Sequence, residues 1–326
     1  MCSHGRAGPI PPPAEVNVSR RPNPSVERLA IGAALVTVVL WASAFVGIRD
    51  AASAFTPGSI ALGRLLVGSL ALGLLVAVRG WHKPSRRDLA LIVGSGVAWF
   101  AFYNLVLNAA ERIVDAGTAS MLTNVGPIFI VLFAALFLGE RMPPRLIGGI
   151  AIAFAGAVTI GFATSSATGP GSAGVEAGWG IALCLLAALA YAVGVTLQKP
   201  ALRNVPALQV TFMACLTGAI VCLPFGPTLV TELAAASFEK SAWLVYLGLF
   251  PTSIAFTTWA YALSHTPAGR LGSTTYLVPP IAIVLGWLVL AEVPPIIAIA
   301  GGALCIGGVI VARSGGGAAR ASTAAR

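Results

Sequence analysis

Arg64 is the residue most able to do chemistry in this chain, because a guanidinium inside an apolar stretch is expensive unless it has a partner. It has two readings: it holds a solute carboxylate or phosphate in a bidentate clamp, or it snorkels to headgroups and locks helix packing. Aromatic side chains stand in comparable stretches. Trp41 and Phe45 are one helical turn apart, and Tyr191 occupies the place in the second half that Trp41 holds in the first. Their rings suit either stacking on a flat or apolar solute or plain packing. Tyr103, Asn104 and Asn108 follow Trp99 and Phe100 at spacings that put Phe100, Asn104 and Asn108 on one helix face. Asparagines facing lipid would be costly, so this face is expected to point inward and either bind solute or join helices. Thr257 and Trp259 make a further polar and aromatic wall.

Two polar segments carry the strongest positional signal. Thr118, Ser120, Thr123 and Asn124 precede Pro127, while Ser273, Thr274, Thr275 and Tyr276 precede Pro279 and Pro280. Proline removes an intrahelical hydrogen bond, so each segment is expected to kink and free carbonyls toward a cavity or a moving gate. The segments belong to a repeat: residues 115 to 144 and 267 to 296 share a pattern that closes on Glu140 with Pro143 and on Glu292 with Pro295. Both glutamates are expected to be structural, fixing the tight turn beyond them. Interrupted helices at matching places in two halves point to a carrier's binding site.

The elements that must position these groups are membrane helices. The chain is 57% hydrophobic and 10% charged, against roughly 25% charged in a soluble domain. Ten apolar stretches reach the length needed to cross about 30 Å of hydrocarbon: 29–49, 58–79, 88–110, 115–139, 144–163, 177–198, 206–225, 241–263, 269–291 and 294–312. The fold class expected is therefore an all-α integral membrane protein of ten transmembrane helices. Five per repeat is an odd number, so the second copy enters from the other side and the repeats are inverted. The domains expected are a disordered tail over 1–28, a first repeat over 29–163, an external linker over 164–176, a second repeat over 177–313 and a loose tail over 314–326.

The net charge of +9 does not imply nucleic acid, because the basic residues alternate with the spans. Arg28, Arg79, Lys83, Arg86, Arg87, Arg141, Arg145, Lys199, Arg203, Arg270 and Arg313 fall on one face, and Arg49, Arg112 and Lys240 on the other. Both termini are then expected in the cytoplasm. Asp50, Glu111 and Asp115 stand at outer helix ends, where water would keep them ionised. No cleavable signal peptide precedes the first span. Cys184, Cys215, Cys222 and Cys305 lack metal-ligand spacing, and His4, His82 and His265 are scattered, so no metal or cofactor is expected. Without a P-loop, direct ATP drive is not expected.

Leu40-Trp41-Ala42-Ser43-Ala44-Phe45, Gly63-Arg64-Leu65-Leu66 and the doubled Pro127 to Glu140 block together resemble the EamA family of the drug/metabolite transporter superfamily. The resemblance covers about residues 30–162 and 178–312. It implies a ten-helix carrier whose helices 1 to 4 and 6 to 9 surround a central cavity, with 5 and 10 peripheral, exporting amino acids, other metabolites or toxic compounds from bacteria. The first span lacks the embedded carboxylate on which small multidrug relatives of the superfamily rely, which disfavours proton exchange for cationic drugs. The expected function is export of a small metabolite, an amino acid or related carboxylate, by alternating access. The partners expected are a small-molecule solute and the lipid bilayer; oligomeric state is open. The alternatives are efflux of apolar or cationic drugs, a membrane transferase on lipid-linked substrates, and a scaffold without transport.

Overall fold

The computed structural model describes residues 24–113, 116–140, 142–167, 175–290 and 296–313. Among them the chain is helical throughout, with no strand: α1 (Pro24–Ala51), α2 (Pro57–Arg79), α3 (Arg86–Ser95), α4 (Tyr103–Ala110), α5 (Ala116–Thr123), α6 (Gly126–Leu138), α7 (Pro144–Ala167), α8 (Val175–Ala201), α9 (Ala207–Cys222), α10 (Gly226–Ala235), α11 (Phe238–Leu247), α12 (Ala255–His265), α13 (Ala268–Gly272), α14 (Val278–Leu290) and α15 (Ile296–Arg313). Six stretches are long and apolar enough to cross a membrane: Ser25–Ala51, Pro57–Arg79, Arg86–Ala110, Trp179–Ala201, Ala207–Ala235 and Ala268–Val289. Gly126–Leu138, Pro144–Gly156 and Ile299–Ala312 are shorter apolar helices, at the places of the fourth, fifth and tenth expected spans. α2 turns Leu70, Leu74 and Val78 outward, 67, 62 and 87% exposed, a surface that suits hydrocarbon and not water.

Local chemistry sets the breaks. Ser85 opens α3, its hydroxyl accepting from the Asp88 amide at 3.1 Å, and Ser237 opens α11 by accepting from the Lys240 amide at 3.4 Å. Each of these helices then widens into a π-helical segment, Gly96–Phe102 and Gly248–Ile254. The glycines that begin these segments allow backbone contact. A Cβ on Gly96 would stand 2.7 Å from the Ala214 carbonyl oxygen, and one on Gly248 would stand 2.8 Å from that of Arg64. A second feature also occurs twice: α1 and α8 end in the same turn, with Phe55 N donating to Ala51 O at 3.0 Å and Val205 N to Ala201 O at 3.0 Å.

Two expectations are corrected here. The prolines do not kink continuous helices. α5 ends at Thr123 and α6 begins at Gly126, so Pro127 stands in the first turn, where its missing N–H has no intrahelical partner to lose. In the ninth span the polar residues form a 3₁₀ segment, Ser273–Leu277, and Pro279 and Pro280 again fall in the first turn of α14. The helices also reach further than hydropathy suggested: residues 24–28 belong to α1, 164–167 to α7 and 175–176 to α8. The rest of the expected tails and linker, with Asp115 and Glu292, lies outside the described residues.

α7 and α15 form a seam of their own, in which Gly149 and Gly308 let the two backbones touch. A Cβ on Gly149 would lie 2.4 Å from the Ala312 nitrogen and 2.6 Å from the Gly308 oxygen, and one on Gly308 would lie 2.4 Å from the Ala153 nitrogen. Small residues at such crossings are how helices pack when lipid is the competing solvent. Gly149→Ala should therefore lower stability by about 1 to 3 kcal/mol through overpacking. Gly148→Ala, one residue away and with nothing within 4 Å of its Cβ position, should hold or slightly raise it, since alanine is the better helix former. Thermal melting of the two variants in detergent separates these outcomes, and equal melting temperatures would sink the account of the seam.

Candidate functional site

α1 presents Trp41, Ala44, Phe45 and Ile48 along one face, and this face lines a cavity of about 70 Å³. Arg64 of α2 reaches the same cavity, as do Trp99, Tyr103, Asn104 and Leu107 from the third apolar stretch. Across it stand Tyr191 of α8, Phe256 of α12, Thr123 and Asn124 at the α5/α6 break, and Thr275 with Val278 from the ninth stretch. The aromatic rings pack on one another rather than lining the cavity singly: Trp41 lies 4.9 Å from Trp259 and 5.4 Å from Phe256 between ring centroids, and Trp99 lies 5.0 Å from Tyr191. Edge and tilted contacts of this kind hold large rings in place, so the walls are preformed.

Arg64 is 4% exposed, and its Nε donates to Thr252 Oγ1 at 3.0 Å. Thr252 is itself fixed, donating to the Leu247 carbonyl at 2.7 Å where the π-helical segment has opened the backbone. One edge of the guanidinium is thereby held while the residue borders the cavity. The other polar groups are arranged the opposite way. Asn104 uses its amide N–H on the Phe100 carbonyl at 2.8 Å and leaves its Oδ1 buried without a partner. Thr123 donates to Ala119 O at 2.7 Å, Asn124 to Ser120 O at 2.7 Å and Thr275 to Gly272 O at 2.8 Å. The helix breaks occupy the hydroxyl protons of Thr123 and Thr275 and one amide N–H of Asn124, so the two threonines can offer a guest only acceptor oxygen. Among the described lining residues Arg64 is the one cation, and Trp41 Nε1 and Tyr191 OH stand unpartnered beside the Asn104 oxygen.

Other expected site residues fall outside these walls. Asn108 donates to the Pro57 carbonyl at 3.1 Å, tying α4 to the start of α2. Trp259 is fully buried behind Trp41, Tyr276 is buried in a cluster with Ile150 and Cys305, and Thr257 is half-buried with its hydroxyl unpartnered. Phe100 is buried against Phe256 at 4.3 Å and is not among the residues that line the cavity. Glu140 does not serve its own turn: its carboxylate accepts from the amides of Ala268 at 2.9 Å and Gly269 at 3.3 Å, capping α13. Asp50 is paired with Lys240 at 2.7 Å.

Glu111 departs most from expectation. At the end of α4, one residue beyond the apolar helix, both its carboxylate oxygens are buried without a hydrogen-bond partner among the described residues, not solvated. Burial pushes this carboxyl up to about 8, while Arg64 and Arg49 pull it down. Hydropathy placed it at a helix end and could not show that neighbouring helices cover that end.

A bundle of apolar helices around such a cavity is an architecture that membrane transporters use. A model of the EamA-like transporter family matches residues 28–162 and again 178–314, and the chain belongs to that family as a multi-pass membrane protein. It is 39% identical over 282 residues to a protein of Streptantibioticus cattleyicolor named "Probable terminal-alkyne amino-acid exporter", covering 86% of this chain and 92% of that one. It is 34% identical over 270 residues to "Uncharacterized transporter YdfC" of Bacillus subtilis, covering 83% and 86%. A solved crystal structure with 21% identity superposes with a TM-score of 0.71 over 87% of this chain and 96% of the other, which supports the fold.

The buried carboxyl of Glu111 gives a stability test. The unfolded chain loses that proton near 4.5 and the folded protein near 8. Between these values the folded state alone holds the proton, so stability falls as pH rises through the interval and levels off above it. The melting temperature in detergent should decline from about pH 5 to about pH 8, and Glu111→Gln should flatten that decline. An unchanged slope in the variant would place the carboxyl in water.

Proposed function

We propose that the protein exports a small zwitterionic amino acid with an apolar side chain across the cytoplasmic membrane by alternating access. The observation that carries this reading is the pairing of Arg64 with the unpartnered Asn104 oxygen in one aromatic-walled cavity. A carboxylate suits the guanidinium, an ammonium suits the acceptors, and an apolar side chain suits the rings. The name carried by the Streptantibioticus relative agrees with this solute class.

The architecture we propose is ten crossings in two inverted repeats, the first beginning with α1 and ending with α7, the second beginning with α8 and ending with α15, with both termini cytoplasmic. The double family match, the repeated turn after α1 and α8, and the two serine-opened helices with π-helical segments 152 residues apart support it. The distribution of basic residues supports the orientation. Efflux of a cationic drug is the rival that the aromatic walls favour, but the fixed charge of Arg64 opposes it.

Counterflow in proteoliposomes tests the proposal. Vesicles preloaded with an aliphatic amino acid should accumulate the labelled compound, and Arg64→Gln should reduce the rate about tenfold or more, since hydrogen bonds to a charged group contribute roughly 1.5 to 3 kcal/mol. Arg64→Lys should retain part of it. Full activity in folded Arg64→Gln, or accumulation of cationic dyes alone, would defeat the reading.

A further inference from the structure

The face of α8 that brings Tyr191 to the cavity continues beyond it. Seven residues on, two turns and about 10.5 Å of rise along the same face, Gln198 is fully buried, and neither its amide nitrogen nor its oxygen has a hydrogen-bond partner. Buried polar groups are ordinarily satisfied, so an amide with both ends free asks for an explanation. The next residue, Lys199, donates to the carbonyls of Leu263 and Thr266 and borders a separate hollow of about 810 Å³ with Glu140, Arg145, His265 and Arg270. Gln198 lines neither space, but along α8 it stands between Tyr191, which lines the cavity, and Lys199, which lines the hollow.

The doubled turn gives Gln198 a counterpart in the first half of the chain. Ile48 O accepts from Ala52 N at 2.8 Å before the turn that ends α1, as Gln198 O accepts from Leu202 N at 3.2 Å before the turn that ends α8. Ile48 lines the cavity, seven residues after Trp41, which also lines it. Gln198 bears the same relation to Tyr191, on the opposite side of the site.

We propose that Gln198 is a solute-binding residue of the cytoplasmic half-path, meeting the zwitterionic head of an amino acid before Arg64 does. This rests on the function and orientation proposed above. Once the helices part beside Lys199 and solute reaches this face, the amide nitrogen donates to the carboxylate and the amide oxygen accepts from the ammonium. A neutral amide can serve both charges at once, which neither Lys199 nor Glu140 can do. In the shut state both of its ends go unused, which favours opening once solute enters the hollow.

Sided labelling tests this. Gln198→Cys, with Cys2 replaced by Ser and the Cys2→Ser parent as background, is exposed to a membrane-impermeant maleimide in inside-out and right-side-out vesicles. His265→Cys reports on the hollow and Ile48→Cys on the opposite half. Gln198→Cys should label at least fivefold faster from the cytoplasmic side, saturating amino acid should slow it, and Ile48→Cys should show the reverse sidedness. In parallel, Gln198→Leu should raise the half-saturating amino-acid concentration about tenfold for uptake into inside-out vesicles with little change in maximal rate, and Gln198→Asn should restore part of it. Absence of labelling where His265→Cys reacts, or unaltered half-saturation in Gln198→Leu, would make Gln198 a packing residue and overturn the proposal. Failure of the amino-acid reading is distinct: the native protein would then show no amino-acid counterflow, whatever the sidedness of labelling.

Discussion

Everything in this bundle answers to one constraint: a polar group surrounded by hydrocarbon has to find its partner within the protein. Where the fourth and ninth apolar stretches break, the orphaned carbonyls are taken up by the side chains beside them, Asn124 on Ser120, Thr274 on Leu271 at 2.6 Å and Thr275 on Gly272. Where α3 and α11 widen into π-helical turns, Asn104 and Thr252 do the same for Phe100 and Leu247. Each break is thus closed by a donor. What remains at the centre is a small set of unpartnered polar atoms, Asn104 Oδ1, Trp41 Nε1 and Tyr191 OH, beside a single guanidinium.

The same demand of membrane folding also positions the cation. Thr252 serves both needs, because it repairs a widened turn with its proton and holds Arg64 with its oxygen. Positioning the guanidinium is in this sense a by-product of how α11 passes into α12. The aromatic walls are fixed in the same indirect way, with Gly194 and Gly218 letting α8 and α9 approach closely enough to bear on Trp99 and Phe100: a Cβ on either would fall within 2.7 Å of those side chains.

Much of this was legible in the sequence. Composition and hydropathy located the apolar stretches, and the cost of a buried charge singled out Arg64, which the structure brings to the cavity with Trp41, Phe45, Tyr103, Asn104, Thr123, Asn124, Tyr191 and Thr275. The misses share a physical cause. Periodicity assumes 3.6 residues per turn, so it could not anticipate the π-helical segment Gly96–Phe102, which contains no proline to announce it. Phe256 was overlooked because an apolar residue in an apolar helix carries no signal; only its place opposite Asn104 in the repeat pattern could have found it. Glu111 and Glu140 were misread because their surroundings come from helices distant in sequence, and a pattern read along a single line of residues cannot see them.

The seam between α7 and α15 supplies no residue to the cavity wall. Inheritance can therefore act on the two parts separately. Substitutions that retune the walls for a new guest leave the glycine crossing untouched, and drift in the crossing is checked by sterics alone, whatever the guest. A lineage built this way can diversify its cargo while keeping one skeleton.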